Sequence, residues 1–141
     1  MKRKTFVVTV ALAIFLCLAG AWWYESSLSK TYTYPISVER QTYTVTVETN
    51  WDVPPKVSLS QTSLKYLSVD FIGSQRESVF FKITFPNNLL SGNITLIWKY
   101  YLQNPDRYTV TDDGIHTIVQ MKFNHTAVDE HFEVRGTKAA W

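Results

Sequence analysis

Between residues 42 and 49 apolar and polar side chains alternate one by one, with Tyr43, Val45 and Val47 set against Thr42, Thr44, Thr46 and Glu48. A period of two places the sets on opposite sides of a pleated chain, so the stretch reads as a strand with one buried face. The pattern returns with Leu67, Val69 and Phe71 in 65–71, and with Val79, Phe81, Ile83 and Phe85 in 79–85, where Pro86 stops it. Shorter β-branched and aromatic runs at 31–38, 93–99, 107–111, 116–123 and 131–135 complete the series. Asp112-Asp113-Gly114 marks a hairpin, because its residue types tolerate left-handed turn positions. Glu39 and Arg40 join 31–38 to 42–49 but are poor formers of a tight turn, which predicts a wider loop there. In 87–92 a corner, with one helical turn as an option, should tuck Leu89 and Leu90 inward. Seven or eight short strands at this spacing predict an immunoglobulin-like antiparallel β-sandwich over 31–141.

The first 24 residues obey a different rule. Residues 6–21 carry no charge, follow Lys2, Arg3 and Lys4, and run into Trp22, Trp23 and Tyr24. Their nine large apolar side chains favour insertion into a bilayer by about 3 to 5 kcal/mol. As a helix, 6–24 would reach about 28 Å, close to the roughly 30 Å of a hydrocarbon core. Basic flanks stay on the cytoplasmic side and aromatic rings settle at the interface, so Lys2, Arg3 and Lys4 set the topology and Trp22, Trp23 and Tyr24 mark the outer surface. The expected organisation is a cytoplasmic tip (1–5), a single transmembrane signal-anchor helix (6–24), a short linker (25–30) and an extracellular domain (31–141). The alternative is a signal peptide cut after Ala21, since Ala19-Gly20-Ala21 has the small-x-small form a signal peptidase reads. Retention is favoured, because the cut would strand two tryptophans on an exposed terminus. Cys17 reads as an apolar filler.

The exported part contains no cysteine, so a domain of this size must be held by packing rather than by disulfides. Of 14 basic and 12 acidic residues in the chain, three basic ones lie at Lys2, Arg3 and Lys4, leaving 11 against 12 beyond them. The basic lean thus belongs to the tip, and the domain lacks the excess that a nucleic-acid partner requires.

The order of segments resembles an exported β-sandwich module that recurs in archaeal surface and secreted proteins, usually near their C-termini. The likeness covers 34–137. It is carried by Val38-Glu39, the 41–48 run with Asn50, Lys65-Tyr66-Leu67-Ser68-Val69-Asp70, Ile83-Thr84-Phe85-Pro86 leading to Leu89-Leu90-Ser91-Gly92, Tyr108-Thr109-Val110-Thr111, Gly114 to Thr117, and His125-Thr126 with His131. The resemblance implies a scaffold at the cell surface and no particular activity. Arg40 stands where the module has a turn glycine, Lys99 and Tyr100 stand where it has Asp-Gly, and 127–130 reads as an insertion.

No nucleophile with a base and no paired carboxylates can be picked out, so an enzyme is not expected, nor is a cofactor. Asp112 and Asp113 read as turn residues because the rest of a calcium loop is missing. His116, His125 and His131 match no zinc spacing. Two sequons, Asn93-Ile94-Thr95 and Asn124-His125-Thr126, are candidate N-glycosylation sites on the exported side. Trp51, Trp98, Tyr100 and Tyr101 are candidate ligand or partner contacts, weighed against packing inside the sandwich for Trp98. The sequence therefore predicts a membrane-held surface protein whose partners are the bilayer through 6–24 and envelope proteins, glycans or further copies of itself. Its alternative is a carbohydrate-binding module using exposed aromatic rings.

Overall fold

The computed structural model describes residues 29–73, 78–124 and 129–141. The chain there is all-β, and its pairings are antiparallel throughout. The strands are β1 (Lys30–Val38), β2 (Gln41–Thr49), β3 (Lys56–Leu59), β4 (Tyr66–Phe71), β5 (Ser78–Pro86), β6 (Leu90–Ser91), β7 (Thr95–Trp98), β8 (Tyr101–Leu102), β9 (Tyr108–Asp112), β10 (His116–Asn124), β11 (Glu130–Arg135) and β12 (Lys138–Ala139). One sheet has the order β1-β2-β5-β10-β9 and the other β3-β4-β11-β7-β8, while β12 and β6 form a small ribbon.

All eight sequence-predicted strands form, and four shorter ones join them. β3 follows Pro54-Pro55 and is too brief to show a period, and β6, β8 and β12 have two residues each. The count of seven or eight is therefore too low, because two-residue pairings leave no alternation to read. The 87–92 corner contains β6 and no helical turn, although Leu89 and Leu90 are both fully buried as expected. A 3-10 turn, Pro105–Arg107, reverses the chain before β9, started by Asn104 Oδ1 accepting from Asp106 N at 3.1 Å.

The predicted alternation fixes which faces meet. Val45, Val47, Phe81, Ile83, Phe85, Val119 and Phe123 point inward from the first sheet, and Leu67, Val69, Phe71, Leu96, Phe132 and Val134 from the second. Rings bridge the layers: Phe81 lies 4.7 Å from Phe132 and 5.7 Å from Phe71, and Phe123 lies 4.8 Å from Phe132. These tilted arrangements suit ring quadrupoles and fix the sheets as a sandwich around one aromatic core.

Two links close the ends. The Tyr34 hydroxyl on β1 donates to the Pro55 carbonyl beside β3, joining the outer strands of the two sheets along one flank. At the C-terminus, Trp141 Nε1 donates to the Ser60 carbonyl at 3.1 Å, and Gly136 passes so close to β6 that a side chain there would stand 2.7 Å from the Ser91 carbonyl.

The hairpin between β1 and β2 is tight, contrary to the wider loop expected: Val38 pairs with Gln41, and Glu39 adopts φ 54°. A positive φ at the first central position only is the pattern of a type II′ turn, and nine paired positions on either side override the preference of the glutamate. Among the described residues no helix is long and apolar enough to cross a membrane. The anchor segment 6–24, with Lys2, Arg3, Lys4, Trp22, Trp23 and Tyr24, lies outside the described residues. The domain is already in place at Ser29, whose hydroxyl reaches Glu48 Oε1 at 3.2 Å, and β1 begins at Lys30, one residue before the predicted boundary.

Candidate contact site

The four aromatic residues singled out in the sequence do not act together. Trp51 is a correction: it is fully buried, its backbone N–H takes Thr49 Oγ1 at 3.1 Å, and its indole donates to the Ile72 carbonyl at 3.0 Å. It packs 5.6 Å from Phe71 and presents no ring to a ligand. Trp98 is half-buried and lies nearly parallel to Phe132 at 5.7 Å, so it serves mainly as a wall of the core. Tyr100 and Tyr101, by contrast, are 81% and 75% exposed, and Leu102 follows at 67%.

Those exposed side chains project from a strained turn. Trp98 pairs with Tyr101, so Lys99 and Tyr100 are the two central residues, with φ 51° and 68°. Both positions positive is the type I′ pattern that glycine and asparagine serve, and an ordinary residue there costs roughly 1–2 kcal/mol. The chain thus keeps two unsuited residues at the tip of an edge hairpin. Such strain persists where the surroundings over-determine it, and it is a pointer to function.

What holds the turn is a buried carboxylate. Glu130 at the start of β11 is 1% exposed and points inward. Its Oε2 accepts from Trp98 Nε1 at 2.8 Å, and Lys99 Nζ stands 3.7 Å from Oε1 while lying 5.1 Å over the Trp98 ring. A carboxylate without water needs partners of this kind, and here they fix both ends of the Trp98-Lys99 step. Lys99 N also donates to the His131 carbonyl at 3.3 Å, extending the β7–β11 ladder into the turn.

Beside the turn, the outer face of the second sheet carries a polar row. His131 Nδ1 meets Asp70 Oδ1 at 2.5 Å, and its Nε2 faces Glu133 Oε1 at 3.4 Å. Glu133 in turn accepts from Arg135 at 2.6 and 2.9 Å. The register makes this possible, since His131 is directly opposite Asp70, and residues 131, 133 and 135 share one face of β11. Tyr100 leans over the imidazole with ring centroids 5.6 Å apart. Asp70 and His131 of this row, with Lys56, Ile72 and Asp129, line an open cleft of about 610 Å³, with Tyr100 as its aromatic rim. Asp129 is fixed at its edge by accepting from Gly73 N at 3.1 Å.

Chemically the cleft can hold and orient a ligand. A general base needs a ring nitrogen aimed at the substrate, and both nitrogens of His131 face carboxylates instead. Among the described residues no group of three or more His, Cys, Asp or Glu is arranged to hold a metal. His116 lies away from His131, 3.8 Å from Asp113, and His125 falls outside the described residues.

Asp112 and Asp113 spend their oxygens on the turn. Asp112 Oδ1 accepts from Asn87 Nδ2 at 2.8 Å and Gly114 N at 2.7 Å, while Asp113 Oδ1 accepts from His116 N at 2.6 Å and Ile115 N at 2.9 Å. Donation from Asn87 and then Gly114 holds the Asp112 carboxyl below its ordinary range, and donation from His116 and Ile115 does the same for Asp113. The sequon asparagines Asn93 and Asn124 are both exposed, the first just before β7 and the second at the end of β10.

Of the residues that build the site, Tyr100, Tyr101 and Trp98 stand out in the sequence, and His131 does so only as a weak metal candidate. Glu130, Asp70, Glu133 and Lys99 escape notice as functional groups. The one legible sign of Glu130 is parity: it falls on the inward side of a strand whose other inward members are Phe132 and Val134. No family model, curated protein or solved structure matches this chain.

Proposed function

We propose that this chain is a non-catalytic surface protein, held in the cell membrane by 6–24 with its N-terminus cytoplasmic, that displays an immunoglobulin-like β-sandwich for structural or adhesive contacts at the envelope. The observation that carries the reading is the Lys99–Tyr100 turn, where strain and a buried Glu130 hold Tyr100, Tyr101 and Leu102 out in solvent. Adjacent apolar side chains fixed in this way are the material of a partner contact, since little further ordering is lost on binding. The charge-free run after Lys2, Arg3 and Lys4 and the resemblance to an archaeal exported module support the address. Sugars on Asn93 and Asn124 would mark the same side of the membrane.

The test uses the full-length chain in lipid vesicles. Vesicles carrying it should adhere to isolated envelope, and Tyr100→Ala with Tyr101→Ala should abolish adhesion while leaving the circular dichroism and melting profile in place. Adhesion unaffected by the pair would refute the role of the turn. Mass analysis of the mature N-terminus tests the anchor: chains beginning at Trp22 and free in the medium would refute it.

A second reading, carbohydrate binding, is favoured by the cleft itself, because an exposed ring beside Lys56, Asp70, Asp129 and His131 combines a stacking platform with convergent polar groups. A glycan array probed with the full-length chain separates the two. Saccharide binding lost in Tyr100→Ala selects this reading, and an array without signal selects protein contacts.

A further inference from the structure

A sandwich of two open sheets has four outer strands, and three of these carry a blunting device. β1 contains Pro35 and begins with Lys30. β3 has four residues, follows Pro54-Pro55 and is covered at Pro55 by Tyr34. β8 has only two residues. Proline, charge and brevity are the usual means of keeping a sheet edge from pairing. β9 has no proline, and its one charge is the terminal Asp112, whose carboxylate is taken up by Asn87 and Gly114, while Thr109, Val110 and Thr111 before it are all exposed.

The pairing pattern shows which backbone groups of β9 face outward. Asp113 N donates to the His116 carbonyl, and Asn87 N donates to the Ile115 carbonyl. Carried along the registers Thr117↔Asp112 and Thr117↔Phe85, this alternation directs Thr109 and Thr111 toward β10. The N–H and C=O groups of Tyr108, Val110 and Asp112 then point away from the sheet.

We propose that β9 is a self-association edge, occupied by β9 of a second copy in antiparallel register about a two-fold axis at Val110. That register sets Val110 against Val110, Thr109 against Thr111 and Tyr108 against Asp112, so that all three outward residues exchange backbone hydrogen bonds with their opposites. It also sets Arg107 against Asp113 at both ends. Arg107 is exposed and has no ion pair among the described residues, while Asp113 Oδ2 has only His116 nearby, at 3.8 Å. The charges complement each other twice, as a two-fold contact requires. Residues set opposite also keep the same face, so the register continues one five-stranded sheet into another. This deepens the contact reading above by naming a partner, and it does not depend on Tyr100.

The experiment uses the full-length chain in lipid nanodiscs with Cys17→Ser, so that an introduced cysteine is the only thiol. Val110→Cys should cross-link to a disulfide dimer under mild oxidation, because opposed residues of a hydrogen-bonded antiparallel pair lie about 5.5 Å apart, within disulfide range. Thr33→Cys on β1 should give little. Arg107→Glu in the Val110→Cys background should lower the yield about tenfold by placing like charges at both ends. Val110→Pro removes an outward N–H only, and should give monomers by sedimentation with unchanged circular dichroism. Absence of cross-linking at residue 110, or equal cross-linking at 33 and 110, would overturn the proposal. If Val110→Cys fails while Tyr100→Ala still abolishes envelope adhesion, the edge is wrong and the contact reading stands.

Discussion

The indole of Trp98 donates to Glu130 at 2.8 Å, and the acceptor is a carboxylate with no exposed side-chain surface. One bond therefore ties the strand before the strained turn to the strand that carries His131. Trp98→Phe keeps most of the ring packing but leaves a buried acceptor short of a donor, so we expect a loss of about 1–3 kcal/mol in urea unfolding. Removing the acid as well, in Trp98→Phe with Glu130→Leu, should recover part of that loss. A double variant as unstable as the sum of the two single changes would show that the bond is incidental.

Tyr100 is expected to show opposed effects on stability and binding. Tyr100→Gly relieves a left-handed conformation that costs an ordinary residue roughly 1–2 kcal/mol, part of which returns as chain entropy. The variant should be as stable as the parent or up to about 1 kcal/mol more stable, and envelope adhesion should be lost. A less stable Tyr100→Gly variant would mean that the ring itself supports the fold.

Burial, with a smaller contribution from the neighbouring Tyr32, pushes the Tyr34 hydroxyl up to about 12 from an ordinary 10. A group whose folded-state value lies above the unfolded one contributes stability that is complete below the unfolded value and fades as pH rises through the folded one. Thermal denaturation should therefore show falling stability between about pH 10 and pH 12, with the steepest part of the Tyr34 contribution absent from Tyr34→Phe. The same variant at neutral pH should cost about 0.5–1.5 kcal/mol through loss of the bond to Pro55.

Gly136→Ala should destabilise although the position is peripheral. Its new carbon would stand 2.7 Å from both Leu90 Cδ1 and the Ser91 carbonyl, and the backbone oxygen cannot yield cheaply. A cost of about 1–3 kcal/mol is expected by calorimetry. A neutral result would indicate that the β6–β12 ribbon separates without consequence for the two main sheets.

The sheets were legible because their signal is local. Alternation in 42–49 and 79–85 identifies inward residues that are all buried in the structure, and Asp112-Asp113-Gly114 turns where predicted. The tight Glu39-Arg40 and Lys99-Tyr100 turns were not legible, because nine-residue pairing in one case and a buried carboxylate in the other override residue preference. The site suffered from the same cause. Glu130 lies 32 residues from Trp98 and His131 lies 61 from Asp70, and only the strand order brings them together. Trp51 shows the converse: beside Asp52 and two prolines it looks like a loop tip, yet the fold turns it inward.

Along one flank the two edge strands are joined by covalent chain, the 103–107 stretch running from β8 to β9, whereas on the opposite flank the edge strands β1 and β3 are not consecutive, β3 is reached from β2, and β1 is latched to it by the phenol of Tyr34 on Pro55. The domain is thus a book sewn along one edge and clasped along the other. Amide exchange at the margins should begin on the clasp side, in β1 and β3. The pages would part there while the spine, with β9 beside it, keeps its shape.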